Sequence, residues 1–154
     1  MSIEAIPRDG SFTNDRINFF TEDISFELPD QEKIKRWICE IIDQEKGELS
    51  NVNIIFCSDK YLYQMNIEYL NHDTLTDVIT FPYQEFPTIE GDIFISIERV
   101  QENADVRHLS FLLELSRVII HGILHLCGYK DKTKQDQLKM RQKEDTALVI
   151  KTNL

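Results

Sequence analysis

Cysteine is scarce in this 154-residue chain, with only Cys39, Cys57 and Cys127. The count is odd, the spacings are wide and no CxxC pair occurs. This argues against a disulfide-linked partner and suits reduced thiols in a cytosol. Positive charge is also short. Lys and Arg number 17 against 27 Asp and Glu, for a net charge of -10 and a pI near 4.8. Such a surface repels phosphates, so broad nonspecific nucleic-acid binding is disfavoured, although a local basic cleft is not. No apolar run is free of charge. The most apolar segment, LSFLLELSRVIIHGILHL, carries Glu114, Arg117, His121 and His125, which are costly in lipid. The opening MSIEAIPRDG lacks the charged-then-apolar pattern of a signal peptide. Repeats and low-complexity linkers are absent. The expectation is a soluble cytoplasmic protein, free of membrane contact, folded as a single domain over residues 1–154.

What is present is a 42% hydrophobic composition, enough for one core, arranged with both strand and helix periodicities. INFFTED and ISFELP read as short strands. DQEKIKRWICEIIDQEKG reads as an amphipathic helix with Asp30 as cap, Gly47 as terminator, and Ile34, Trp37, Ile38, Ile41 and Ile42 on its apolar face. NVNIIFCS alternates as a strand, and SDKYLYQMNIEYL follows as a helix capped by Ser58. DVITFPY and GDIFISIE read as two further strands. A short helix over 98–106 and a long one over 108–127 come next. The charged final helix has Leu138, Met140, Ala147, Leu148 and Ile150 as its apolar points. The order predicts an α+β fold: a small mixed β-sheet covered by helices, with HGILHLCGYKD (121–131) on a central buried helix.

That last stretch carries the chemistry. At about 100° per residue, His121 and His125 lie on one helical face and can share a metal ion. A catalytic zinc takes three protein ligands and keeps one position open. Gly128 stands where a helix-ending glycine would let the chain turn back, which brings Asp131 to the open side of the ion. Cys127 lies about 200° round from His125 and belongs to the core. Gly122 weakens the helix, so its presence implies close approach of a strand or a substrate. It also occupies the place where a zinc protease of the HExxH type has its glutamate base.

HGILHLCGYKD resembles the signature of the YbeY-type endoribonucleases, His-Gly-x-Leu-His-Leu-x-Gly-Tyr-Asp-His, at His121, Gly122, Leu124, His125, Leu126, Gly128 and Tyr129. MNIEYLNHDTLTDVITFP is similar to a second segment of that family at Thr76, Asp77, Val78, Phe81 and Pro82. GDIFIS is similar to a third at Gly91, Asp92, Ile93, Ile95 and Ser96. The resemblance runs over roughly residues 15–150. It implies an α+β fold, one Zn2+ per chain held by three residues, cleavage of single-stranded RNA, and work on 16S ribosomal RNA and the small ribosomal subunit. There are two departures. Asp131 stands where the family has its third histidine, with Lys130 in place of the neighbouring aspartate, and Leu70 stands where the family has an arginine.

Several further residues have open roles. Asp77 and Asp92 are orienting or base residues, or else structural partners. Thr80 stands at a family serine and keeps the hydroxyl. Arg117, one turn before His121, either reaches a phosphate or pairs with Glu114. Lys130, Lys132 and His72 are the candidates for touching RNA, whereas the other basic residues after the motif read as a solvated face. Two rival readings stand beside the nuclease: a ribosome assembly factor with a structural metal, and a small zinc peptidase.

Overall fold

Four short segments pair into one sheet, and the computed structural model describes residues 14–72 and 74–154. The first ten residues, read above for a targeting signal, lie outside these. The elements are β1 (Ile17–Thr21), α1 (Gln31–Gln44), β2 (Glu48–Cys57), α2 (Asp59–Leu70), β3 (Val78–Pro82), β4 (Thr88–Ser96), α3 (Ile97–Arg107), α4 (Phe111–Leu126) and α5 (Lys134–Thr152). The strands order as β1-β2-β4-β3. The first two pairings are parallel, and β3 runs antiparallel to β4. The expected small mixed sheet under helices is therefore the observed architecture.

Because strand side chains alternate, the sheet has two unlike faces. Val52, Ile54, Phe56, Ile93 and Ile95 join α1 and α4 in the main core. Cys57, Ile79, Phe81 and Phe94 face the other way, toward Leu62 and Met65 of α2. Helix α4 lies close on β4: a Cβ on Gly122 would stand 2.8 Å from Ile93 Cγ2. The close approach implied by that glycine is thus to a strand. Where β4 meets β3, a Cβ on Gly91 would stand 2.5 Å from the Phe81 carbonyl oxygen. Backbone cannot rotate aside, so Gly91→Ala is expected to lower stability by about 1–3 kcal/mol, seen as a fall of several degrees in Tm in a thermal melt. An unchanged Tm would contradict this packing.

Three local expectations are corrected. ISFELP is not a strand: residues 24–29 run as irregular chain. The alternation is real but serves packing, since Phe26 sits edge-on to Phe56 and Phe111 and Leu28 is buried. Asp30 occupies the N-cap position of α1 with φ 54°, but its side chain makes no capping bond. Lys46, not Gly47, takes the left-handed conformation (φ 62°) that ends the helix, and the Gly47 N–H closes the motif on the Ile42 carbonyl. Ser58 does cap α2, accepting from the Tyr61 N–H at 3.0 Å. On α5, Met140 and Ala147 are buried but Leu138 is exposed. No single helix among the described residues is long and apolar enough to cross a membrane.

Candidate metal centre

Helix α4 ends in a Schellman motif that also builds the site. Gly128 adopts φ +95°. Its N–H donates to the His125 carbonyl at 2.9 Å, and the Tyr129 N–H donates to the Leu124 carbonyl at 3.1 Å. This turn points the Tyr129 carbonyl back at His125, whose Nδ1 lies 2.8 Å from it. His121 Nδ1 lies 2.7 Å from Glu144 Oε2 on α5. With both Nδ1 atoms engaged, both Nε2 atoms face one point. They stand 3.0 Å apart, and Asp131 Oδ2 is 3.3 Å from each.

That triangle passes the test for a tetrahedral ion. Ligands about 2.0–2.1 Å from zinc are separated by about 3.3 Å. Two imidazoles and a carboxylate are an accepted donor set, and each imidazole is fixed by a carboxylate or carbonyl behind it. His121, His125 and Asp131 are the one His/Cys/Asp/Glu group among the described residues whose donor atoms are close enough to hold a metal. Cys127 is buried in the core, and burial pushes its thiol up to about 12.

The electrostatics follow from burial and neighbours. Burial alone would lower His121, but Glu144, with Asp131 and Asp77 beyond, outweighs it and raises the pKa. Burial and the adjacent His121 lower His125 despite Asp131. Burial would raise Glu144, yet His121 and Arg117 hold it below its usual range. Burial raises Asp77, with His121 opposing.

An open cleft of about 880 Å3 contains the triad and brings together His72, Asp77, Thr80, Lys130 and Lys132. Leu70 lines it too. The Thr80 hydroxyl oxygen is buried and has no hydrogen-bond partner among the described residues. Sheet parity explains which candidates meet. Thr80 pairs with Ile93 and shares its face, toward α4, whereas Asp92 pairs with Phe81 on the opposite face. Asp92 accepts from Asn53 Nδ2 at 3.0 Å and Tyr83 Oη at 2.6 Å, away from the triad, which is the structural alternative. Arg117 does not pair with Glu114. It turns toward α5, where Nη1 lies 2.9 Å from Glu144 Oε1 and Nη2 lies 2.8 Å from Asp145 Oδ1. Glu114, buried toward α3, takes Arg107 Nη1 at 2.6 Å instead.

Glu144 is the candidate site residue that motif reading passes over. A signal for it exists in the sequence. Met140, Glu144 and Ala147 follow helical spacing, so the apolar stripe of α5 runs through a carboxylate, and a buried carboxylate requires partners.

The chain is similar to known proteins over most of its length. The family model described as Endoribonuclease YbeY matches residues 16–150. An Endoribonuclease YbeY of Amoebophilus asiaticus is 54% identical over 129 residues, covering 83% of this chain and 88% of that protein. Another, of Flavobacterium psychrophilum, is 51% identical over 131 residues, covering 85% and 94%. The solution structure of TM1509 from Thermotoga maritima superposes with a TM-score of 0.61 at 30% identity, covering 86% of each chain.

Proposed function

The chain belongs to the YbeY endoribonuclease family, and from that premise we propose that it is a zinc-dependent endoribonuclease. It acts as one domain on single-stranded RNA in the cytoplasm, in maturation of 16S ribosomal RNA on the small ribosomal subunit. The observation that carries the reading is the convergence of His121 Nε2, His125 Nε2 and Asp131 Oδ2 in a cleft flanked by lysines. Zinc held there supplies a Lewis acid beside a phosphodiester.

The chain's own residues do the rest. Glu144 and the Tyr129 carbonyl keep both imidazoles aimed into the cleft. Lys130 and Lys132 flank Asp131 and offset its charge toward an approaching phosphate. Asp77 lines the same cleft as His121, and burial raises its pKa, which suits a general acid or base. Thr80 lines the cleft with a buried hydroxyl that has no partner among the described residues, and His72 lines it as a candidate substrate contact. Arg117 acts through Glu144 as a positioning residue. The chain's net charge of -10 opposes free RNA, so the ribosomal context supplies much of the affinity.

The test pairs metal content with cleavage. Protein purified without added metal is expected to carry one zinc per chain and to cut single-stranded RNA. Asp131→Ala is expected to lose the zinc and the activity together. Retention of metal by Asp131→Ala removes that residue from the site. Unfolding on chelation, with no cleavage by loaded wild type, favours the assembly-factor reading. Cleavage of a peptide library favours the peptidase.

A further inference from the structure

We propose that the groove between α2 and the far face of β3 and β4 is a docking site for an extended protein segment bearing arginine or lysine side chains. The groove has a volume of about 740 Å3 and lies on the sheet face opposite the metal triad, so it stands independently of the nuclease reading. Its floor is aromatic. Tyr61 stacks on Phe94 with centroids 6.3 Å apart, Phe81 meets Phe94 edge-on at 5.9 Å, and Tyr69 meets Phe81 edge-on at 6.2 Å. Tyr69 and Tyr83 are 67% and 57% exposed, which places large rings in water beside a concave surface.

The rim decides what the rings accept. Asp23, Glu68 and Asp92 line the groove against a single cation, Lys60. Asp23 is held by the Ser58 hydroxyl and N–H, and Asp92 by Asn53 and Tyr83. These donors are neutral, so they orient the carboxylates without cancelling their charge. The hydrogen bond from Ser58 also keeps Asp23 below the usual carboxylate range. Exposed aromatic faces under a negative rim attract guanidinium and ammonium groups, whose cations are drawn to the ring face and to the carboxylates together. Nucleic acid could stack on the same rings, but its phosphates would meet three carboxylates and one lysine. Charge complementarity therefore selects a basic polypeptide.

The experiment is fluorescence anisotropy on the full chain at physiological salt. The probes are a labelled 12-residue peptide of alternating glycine and arginine, its citrulline counterpart, and a 12-nucleotide oligouridine. The arginine peptide is expected to bind at least ten-fold more tightly than the citrulline one. Glu68→Lys and Tyr69→Ser each weaken it ten-fold or more. Both residues are exposed, and both variants are expected to keep the wild-type Tm. Glu40→Lys, the same charge change at an exposed site on α1, leaves binding unaltered. Equal weakening by Glu40→Lys reduces the effect to bulk charge and overturns the proposal. So do equal binding of the citrulline peptide, displacement of the arginine peptide by oligouridine, and self-association that Tyr69→Ser abolishes.

Discussion

His121→Ala is expected to lower RNA cleavage by about a thousand-fold or more while the chain stays folded. In the proposed site the imidazole is shared between the metal and Glu144, so its loss removes a donor atom and the link to α5 at once. Metal polarisation of a phosphoryl oxygen is worth several kcal/mol in the transition state, and about 4 kcal/mol corresponds to a thousand-fold in rate. The fold has little at stake. The side chain is 21% exposed on the cleft wall, while Ile119, Ile120 and Ile123 keep the helix seated in the core. Alanine is a good helix former, and Glu144 retains Arg117 as a partner. Single-turnover cleavage of a labelled single-stranded RNA, beside circular dichroism and metal analysis, checks the claim. Wild-type cleavage by a folded His121→Ala protein that holds no metal would sink the metal mechanism.

Glu144→Gln tests the support behind that ligand. The amide oxygen can still accept from His121 Nδ1–H, so the ring keeps its orientation but loses the neighbouring negative charge. Glu144→Ala loses both. Partners behind a ligating histidine are worth about 10–100-fold in metal affinity. We expect roughly ten-fold weaker zinc binding for the glutamine variant and a hundred-fold for the alanine variant, measured by competition with a chelator. Alanine also strips Arg117 of its inner carboxylate and leaves only the exposed Asp145. A charge left in a partly buried position is costly, so the alanine variant is expected to lose stability as well. Equal zinc affinity in all three proteins would reduce Glu144 to a packing role.

The departures from the family pattern bear on both experiments. In the proposed site Asp131 would supply a hard oxygen where the family pattern has an imidazole, making the surroundings of a bound ion more negative by one charge than a third neutral histidine would. An oxygen ligand relaxes selectivity among divalent metals. Leu70 lines the cleft as an apolar side chain, so the basic side chains lining it are Lys130 and Lys132.

The amino-acid sequence by itself determined the elements that local periodicity controls, and with them the core of the site. The apolar face of α1, the cap at Ser58, the i,i+4 histidines and the glycine that ends α4 all act within a few residues of one another. So does the return of Asp131 to the two histidines, because the helix end and the short turn after it fix it locally. Contacts distant in sequence were decided only by the tertiary structure. ISFELP has strand alternation but no strand beside it to pair with, and it spends that alternation on packing Phe26 and Leu28. Asp92 and Thr80 lie twelve positions apart, and only the antiparallel register of β3 and β4 sends them to opposite faces of the sheet. Arg117 passed over the nearby Glu114 for Glu144, which is 27 residues away, because α5 packs across α4 at that height. The physical reason is the same in each case. Backbone periodicity states which side chains share a face, but only packing between elements states what that face meets.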